Sequence, residues 1–211
     1  MQTFSEGFRA DLRDLMRWRR DVRRFRRTPL DEAVLSECLE SLRLAPSVGL
    51  SEPWRLVRVS SPAARATALE NYRRANAEAL ETYDGARADS YARLKLSGME
   101  DAPVQLVICA DEGSVQGHGL GAATMPEMRR YSVVAAITQF WLTARAHGLG
   151  VGWVSILDAP ALLRDLNLPS DWRLVAYLCV GWPEGADDTP ELERAGWESR
   201  REDPPREDLI R

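Results

Sequence analysis

The chain has 211 residues, 45% of them hydrophobic, with 28 basic against 32 acidic side chains and a net charge of -4. That is enough apolar material for the core of one sizeable domain, and too little basic excess for a nucleic-acid coat. No run reaches the ~20 apolar residues that span a bilayer, and Met1 to Ala10 lacks the apolar core of a signal peptide, so no membrane association and a cytoplasmic location are expected.

In chain order, residues 8–18 place Phe8, Leu12, Leu15 and Met16 on one helical face. The helix runs into Arg19-Arg20-Asp21-Val22-Arg23-Arg24-Phe25. Thr28 then reads as an N-cap, Pro29 as a first-turn residue and Asp31 as the closing member of a capping box for a helix over 30–44. Leu30, Val34, Cys38 and Leu42 face inward on it. Ala45 to Gly49 breaks the chain before a strand at 54–59. Pro62 opens a long, partly solvated helix to about Tyr83, and a shorter helix is expected around 86–97. A strongly apolar strand follows Pro103 up to Ala110. The glycine-rich segment 111–127 reads as a loop. Residues 128–147 give the clearest helix, apolar around much of its circumference and therefore central, with Gly148 as its stop. A strand at 150–156, a short helix after Pro160 and a last apolar strand at 173–182 complete the pattern. Helices first, then strands alternating with helices, imply a mixed α+β or α/β domain. Beyond Pro183 the chain has no core pattern and must wrap a surface.

Few segments suggest chemistry on residue type alone. Cys38, Cys109 and Cys179 are scattered, form no CxxC pair and have only His118 and His147 to assist them. Inert buried thiols fit better than a zinc site. Neither histidine sits in a recognisable nucleophile context. The arginines of RRDVRRF could be a solvated helix end or a phosphate cradle, guanidinium being well matched to phosphate oxygens. An aspartate among them keeps a low pKa unless burial opposes it. APSVGLSEPW could be an ordinary turn or a close approach of backbone to a ligand. GLGVGW fits neither the dinucleotide fingerprint nor the order of a phosphate-binding loop; glycine as a helix stop before a plain strand accounts for it.

Taken in order, RRDVR, APSVG followed by PW, KLxGxxxAP at 95–103, MPEMxxYS at 125–132 and GVGWVSILD at 150–158 resemble the BluB branch of the nitroreductase family over about residues 17–200. The resemblance implies an α+β, nitroreductase-like fold whose mixed, mostly antiparallel central sheet is flanked by helices. It implies a single FMN-binding domain over 1–211, working as a homodimer with FMN at the subunit interface. The extended arm at 183–211 would clasp the partner, and helix 128–147 would sit in the dimer core. Arg19, Arg20 and Arg23 correspond to FMN contacts at the phosphate and ring edges, Val22 to a further flavin contact, Asp21 to an aspartate close to the ring, and Ser47 to the serine of the flavin-binding turn. Lys95 would flank the ring, Trp153, Val154 and Ser155 would pass it, and Arg200 would reach the phosphate; no metal is implied.

The implied activity is 5,6-dimethylbenzimidazole synthase. Reduced FMN would be the substrate and O2 the co-substrate, and the ring would fragment to 5,6-dimethylbenzimidazole, the lower ligand of vitamin B12, and erythrose 4-phosphate. A separate flavin reductase would supply the reduced FMN. Asp21 would act as acid–base group, Ser155 as an orienting hydrogen-bonder and loop 111–127 as a lid. An NAD(P)H-dependent FMN nitroreductase or quinone reductase, and a non-catalytic flavin-binding redox module, remain as alternatives.

Overall fold

A computed structural model describes residues 3–93 and 97–201. Its centre is a four-stranded sheet in the order β1-β2-β4-β3, formed by Trp54–Arg58, Val104–Asp111, Trp172–Gly181 and Gly150–Val154 (β1, β2, β4 and β3). Every pair of these strands is antiparallel. The longest ladder joins β2 to β4, from Val104 opposite Val180 to Asp111 opposite Trp172, with a register shift at Ile108/Cys109. The parallel component comes from the arginine-rich segment, where Asp21 bridges Val151 in parallel and Phe25 bridges Pro183. That segment covers the outer edge of β3, which would otherwise present unpaired backbone groups.

The period of two along each strand sorts the core into two layers. Leu106, Ile108, Ala110, Ala176, Leu178 and Val180 face one side, with α2 (Glu32–Glu40) and α6 (Met128–Ala146). Val107, Cys109, Tyr177 and Cys179 face the other, with Phe25, α3 (Pro62–Leu80), α5 (Gly98–Asp101) and α7 (Ala159–Asp165). Both faces of β2 are covered, which is why its run is continuously apolar. α6 buries Val133, Ala136, Ile137, Phe140 and Ala144 against the sheet and α2, as its apolar circumference predicts, yet Tyr131 and Val134 stay exposed on it. All three cysteines are buried and free; desolvation pushes the Cys109 and Cys179 thiols up to about 12.

The remaining elements are α1 (Glu6–Trp18), α4 (Gly85–Arg93) and α8 (Glu191–Arg194). Local rules explain most boundaries. Ser5, Ser61 and Asp158 cap α1, α3 and α7 through side-chain oxygens, and Pro62 sits in the first turn of α3. The expected start of α2 is corrected: the cap is Asp31, whose carboxylate accepts from Ala33 N at 2.8 Å. Leu30 is buried in the core ahead of it, which keeps Thr28–Leu30 extended rather than helical. The helix also ends at Glu40 and tightens into a 3-10 turn over Ser41–Leu44. β3 ends at Val154, before the expected limit of 156, because Leu157 N turns back to the Ser155 carbonyl at 3.1 Å.

Candidate functional site

The segment RRDVR reaches the sheet because two glycines on β3 admit it. A Cβ at Gly152 would lie 2.1 Å from the Val22 carbonyl oxygen, and one at Gly150 2.8 Å from a Val22 methyl. Val22 N donates to Val151 O at 3.0 Å. The glycines of GVGW therefore exist for this close approach, and only Gly148, with φ of +78°, serves as the helix stop. The docking brings Asp21 beside β3, where its Oδ1 accepts the Trp153 N–H at 2.8 Å.

Asp21 and Arg23 lie between two chambers and line both. The first, of about 300 Å3, is walled by Arg20, Val22, Arg24, Trp141, Arg145 and the arm from Pro183 to Arg194. The second, of about 240 Å3, is walled by Tyr72, Asn76, Tyr91, Trp153, Val154, Ser155, Ile156, Leu192 and Trp197. Side by side they offer room of the class that holds small ligands, roughly 300–1,000 Å3. One end is rich in guanidinium and the other in planar aromatic and aliphatic surface, which suits an amphipathic ligand carrying an anionic group and a flat ring system.

The arginines divide their work. Arg19 lies over the Trp141 ring at 4.8 Å. Arg20 donates to the main-chain carbonyls of Asp187 and Asp188, at 3.3 and 2.7 Å, and to that of Arg17. Burial and then the nearby Arg200 and Arg19 charges push the Arg20 pKa down. Arg23 forms no side-chain ion pair among the described residues and faces both chambers. The Asp21 carboxyl stays open to the cleft, but protein crowds around it. Desolvation pushes its pKa up, against the Trp153 N–H and the Arg23 and Arg19 charges that pull it down. The balance is the reverse of what the surrounding arginines alone imply.

Trp153, Val154 and Ser155 are brought to the second chamber, as expected. Arg200 lies close enough to Arg20 to oppose its charge, although it lines neither chamber. Ser47 is not brought to the cleft of its own chain: its hydroxyl closes a local turn by accepting from Glu52 N at 3.1 Å. Lys95 lies outside the described residues. Loop 111–127 packs on that turn instead of lining either chamber, with Gln116 Nε2 donating to Leu50 O at 3.0 Å.

Sequence reasoning missed the aromatic wall. Tyr72 and Asn76 are one turn apart on α3, a spacing visible in the sequence, but the helix is too evenly polar to show which side it buries. Tyr91 on α4 donates to Asn76 Oδ1 at 2.9 Å. Trp197 packs on Tyr83 and Tyr91 and carries the Arg87 guanidinium over its ring at 4.8 Å. The arm from Pro183 to Arg201 thus lies against its own chain, tied by Arg17–Asp188 at 2.5 Å and Arg24–Glu191 at 3.1 Å, and is braced within itself by Arg194–Asp187 at 3.2 Å.

Residues 16–182 match the nitroreductase family. The chain is 53% identical over 201 residues to a 5,6-dimethylbenzimidazole synthase of Rhodospirillum rubrum, covering 95% of each chain. It is 49% identical over 195 residues to a 5,6-dimethylbenzimidazole synthase of Rhodobacter capsulatus, covering 92% of this chain and 94% of that one. Among solved structures it superposes on oxidised iodotyrosine deiodinase bound to FMN and 3-iodo-L-tyrosine with a TM-score of 0.71, 22% identity, and coverage of 95% and 97% of the two chains.

Proposed function

Since the chain belongs to the nitroreductase family, we propose from that premise that it is a flavin-using enzyme that makes 5,6-dimethylbenzimidazole. The observation that carries this reading is identity of about one residue in two, over nearly the whole chain, to synthases of that compound. Reduced FMN is the substrate and O2 the co-substrate, and 5,6-dimethylbenzimidazole and erythrose 4-phosphate are the products. A separate flavin reductase delivers the reduced flavin.

The residues present fit FMN. Arg19, Arg20, Arg23 and Arg200 would hold the phosphate and the polar ring edges, and Val22 and the Trp153–Ser155 stretch would hold the ring. The flavin supplies the ring that is broken and the electrons that O2 accepts. Asp21 holds and moves the proton. Its carboxylate is fixed in direction by the Trp153 N–H, and desolvation lifts its pKa, which brings it closer to the working pH at which an acid–base group is most effective. Ser155, at the end of β3, orients the reacting part of the ring by hydrogen bonding. Tyr72, Tyr91 and Trp197 limit water around it. Two copies form the working unit: the Ser47 turn, turned away from its own cleft, serves the partner's flavin, and the exposed Leu44, Leu50, Tyr131 and Val134 are covered in the dimer. Residues 1–211 act as one FMN-binding domain.

The test is to reduce FMN anaerobically with excess protein, admit air and separate the small molecules by chromatography coupled to mass spectrometry. A product with the mass of 5,6-dimethylbenzimidazole, formed at the expense of FMN, is expected. Intact FMN with peroxide alone would refute the reading.

A further inference from the structure

The segment that carries Ser155 is held by a buried amide on another element. Asn71, in the middle of α3, is only 3% exposed. Its Nδ2 donates to the main-chain carbonyl of Asp158 at 3.0 Å, and its Oδ1 accepts the main-chain N–H of the same residue, also at 3.0 Å. One side chain thus satisfies both backbone groups of one residue, as a neighbouring strand would. Asp158 is pinned at three further points: its carboxylate caps α7 by accepting from Ala161 N at 3.0 Å, its carbonyl also accepts from Leu162 N at 2.9 Å, and its Oδ2 lies 3.9 Å from Arg74, one turn along α3 from Asn71. Between the anchor and Ser155 there is little slack, because Leu157 N returns to the Ser155 carbonyl at 3.1 Å. The same stretch of α3 supplies Tyr72 and Asn76 to the chamber that Ser155 lines.

We propose that Asn71 is a positioning residue: by clamping the backbone of Asp158 it sets where Ser155 presents its hydroxyl to the substrate. The inference rests on the reading that Ser155 acts in the reaction. A buried amide satisfied at both ends has no equivalent substitute: its removal strands the Asp158 N–H and leaves the Asp158 carbonyl with Leu162 N alone, at 2.9 Å. Displacements of about 1 Å at a reacting centre can cost about a hundredfold in rate.

The test measures, after re-aeration of reduced FMN bound to the full chain, how much benzimidazole forms per FMN oxidised, together with FMN affinity. Asn71→Asp keeps the shape and the acceptor but loses the donor to Asp158 O. It is expected to lower the product fraction about tenfold, with a matching rise in peroxide and FMN affinity unchanged. Adding it to Ser155→Ala should lower the product fraction no further than Ser155→Ala alone, a non-additivity that general damage to the fold would not give. If Asn71→Asp does not fold, Asn71→Ser carries the same comparison. A wild-type product fraction in the Asn71 variant, or losses that multiply in the double variant, would overturn the inference and leave the role of Ser155 standing. A wild-type product fraction in Ser155→Ala would overturn both.

Discussion

The two chambers on either side of Asp21 are held together by opposite means. The first is a lattice of arginines: Arg17 and Arg24 pair with Asp188 and Glu191 of the arm, Arg20 donates to the arm's main-chain carbonyls at Asp187 and Asp188, and Arg194 braces the arm from within through Asp187. The second is built from rings: Tyr83, Tyr91 and Trp197 pack within 5.0 to 6.4 Å of one another, with Tyr72 beside them on the chamber wall. The difference teaches that the arginine-rich segment is not a uniform phosphate cradle. Arg24 secures the arm, Arg20 both holds the arm's carbonyls and lines the first chamber, and Arg23 faces both chambers without a pairing of its own among the described residues.

The largest break in this comparison comes at the boundary itself. Asp21→Asn keeps the shape and an acceptor for Trp153 N–H but cannot exchange a proton. Product formation should fall by at least ~100-fold, the lower end of what a positioned acid or base contributes, while binding of oxidised FMN, followed by quenching of its fluorescence, stays within about threefold. A variant that keeps its turnover would remove the proton role from Asp21.

Next, the two arginine classes should separate. Arg23→Ala should weaken FMN binding by roughly 10–100-fold, the equivalent of losing a charged hydrogen bond of about 1.5–3 kcal/mol. Arg24→Ala, which loses an exposed ion pair with Glu191, should change affinity by less than about threefold. Equal losses in titrations of both variants would mean that the division of labour is wrong.

A smaller effect concerns the aromatic side. Trp197→Ala removes a ring that packs on two tyrosines and an arginine. It should cost about 1–3 kcal/mol, since such contacts contribute ~0.5–1.5 kcal/mol each, and it should expose the arm after Pro183 to limited proteolysis. Unchanged melting and digestion would place that arm elsewhere.

The smallest effect is on stability and its sign is fixed by the raised pKa of Asp21. The folded state holds this proton more tightly than the unfolded state, so ionisation costs stability as pH rises from the ordinary carboxylate range through the folded pKa. Asp21→Asn removes that cost. It should melt slightly above the wild type at neutral pH, and the gap should close in acid. A variant that melts below the wild type at neutral pH would show that pairing with the arginines outweighs burial.

Much of the frame was legible in the sequence because it rests on local pattern. The apolar runs of β2 and β4 and the encircled apolar helix α6 each carry their burial in composition alone. Resemblance assigned the motif RRDVR and the strand GVGWVS each to the flavin, but their direct contact, which the glycines at 150 and 152 admit, was not read from the sequence. What was not legible depends on contacts between segments far apart in the chain. Trp197 lies in a tail without periodicity, and nothing local announces that it meets Tyr91. The upward pKa of Asp21 needs the crowding around it, whereas its sequence neighbours argue for the opposite. Ser47 shows the converse, a residue singled out by its motif that stands outside its own chain's chambers, with its hydroxyl accepting from Glu52 N.

The most direct test of the account is a structure of the protein crystallised anaerobically with reduced FMN. The phosphate is expected among Arg19, Arg20, Arg23 and Arg200, the ring along Trp153 to Ser155, and the Asp21 carboxyl within hydrogen-bonding reach of the flavin. A flavin bound with its ring away from that strand, or with Asp21 out of reach, would contradict it.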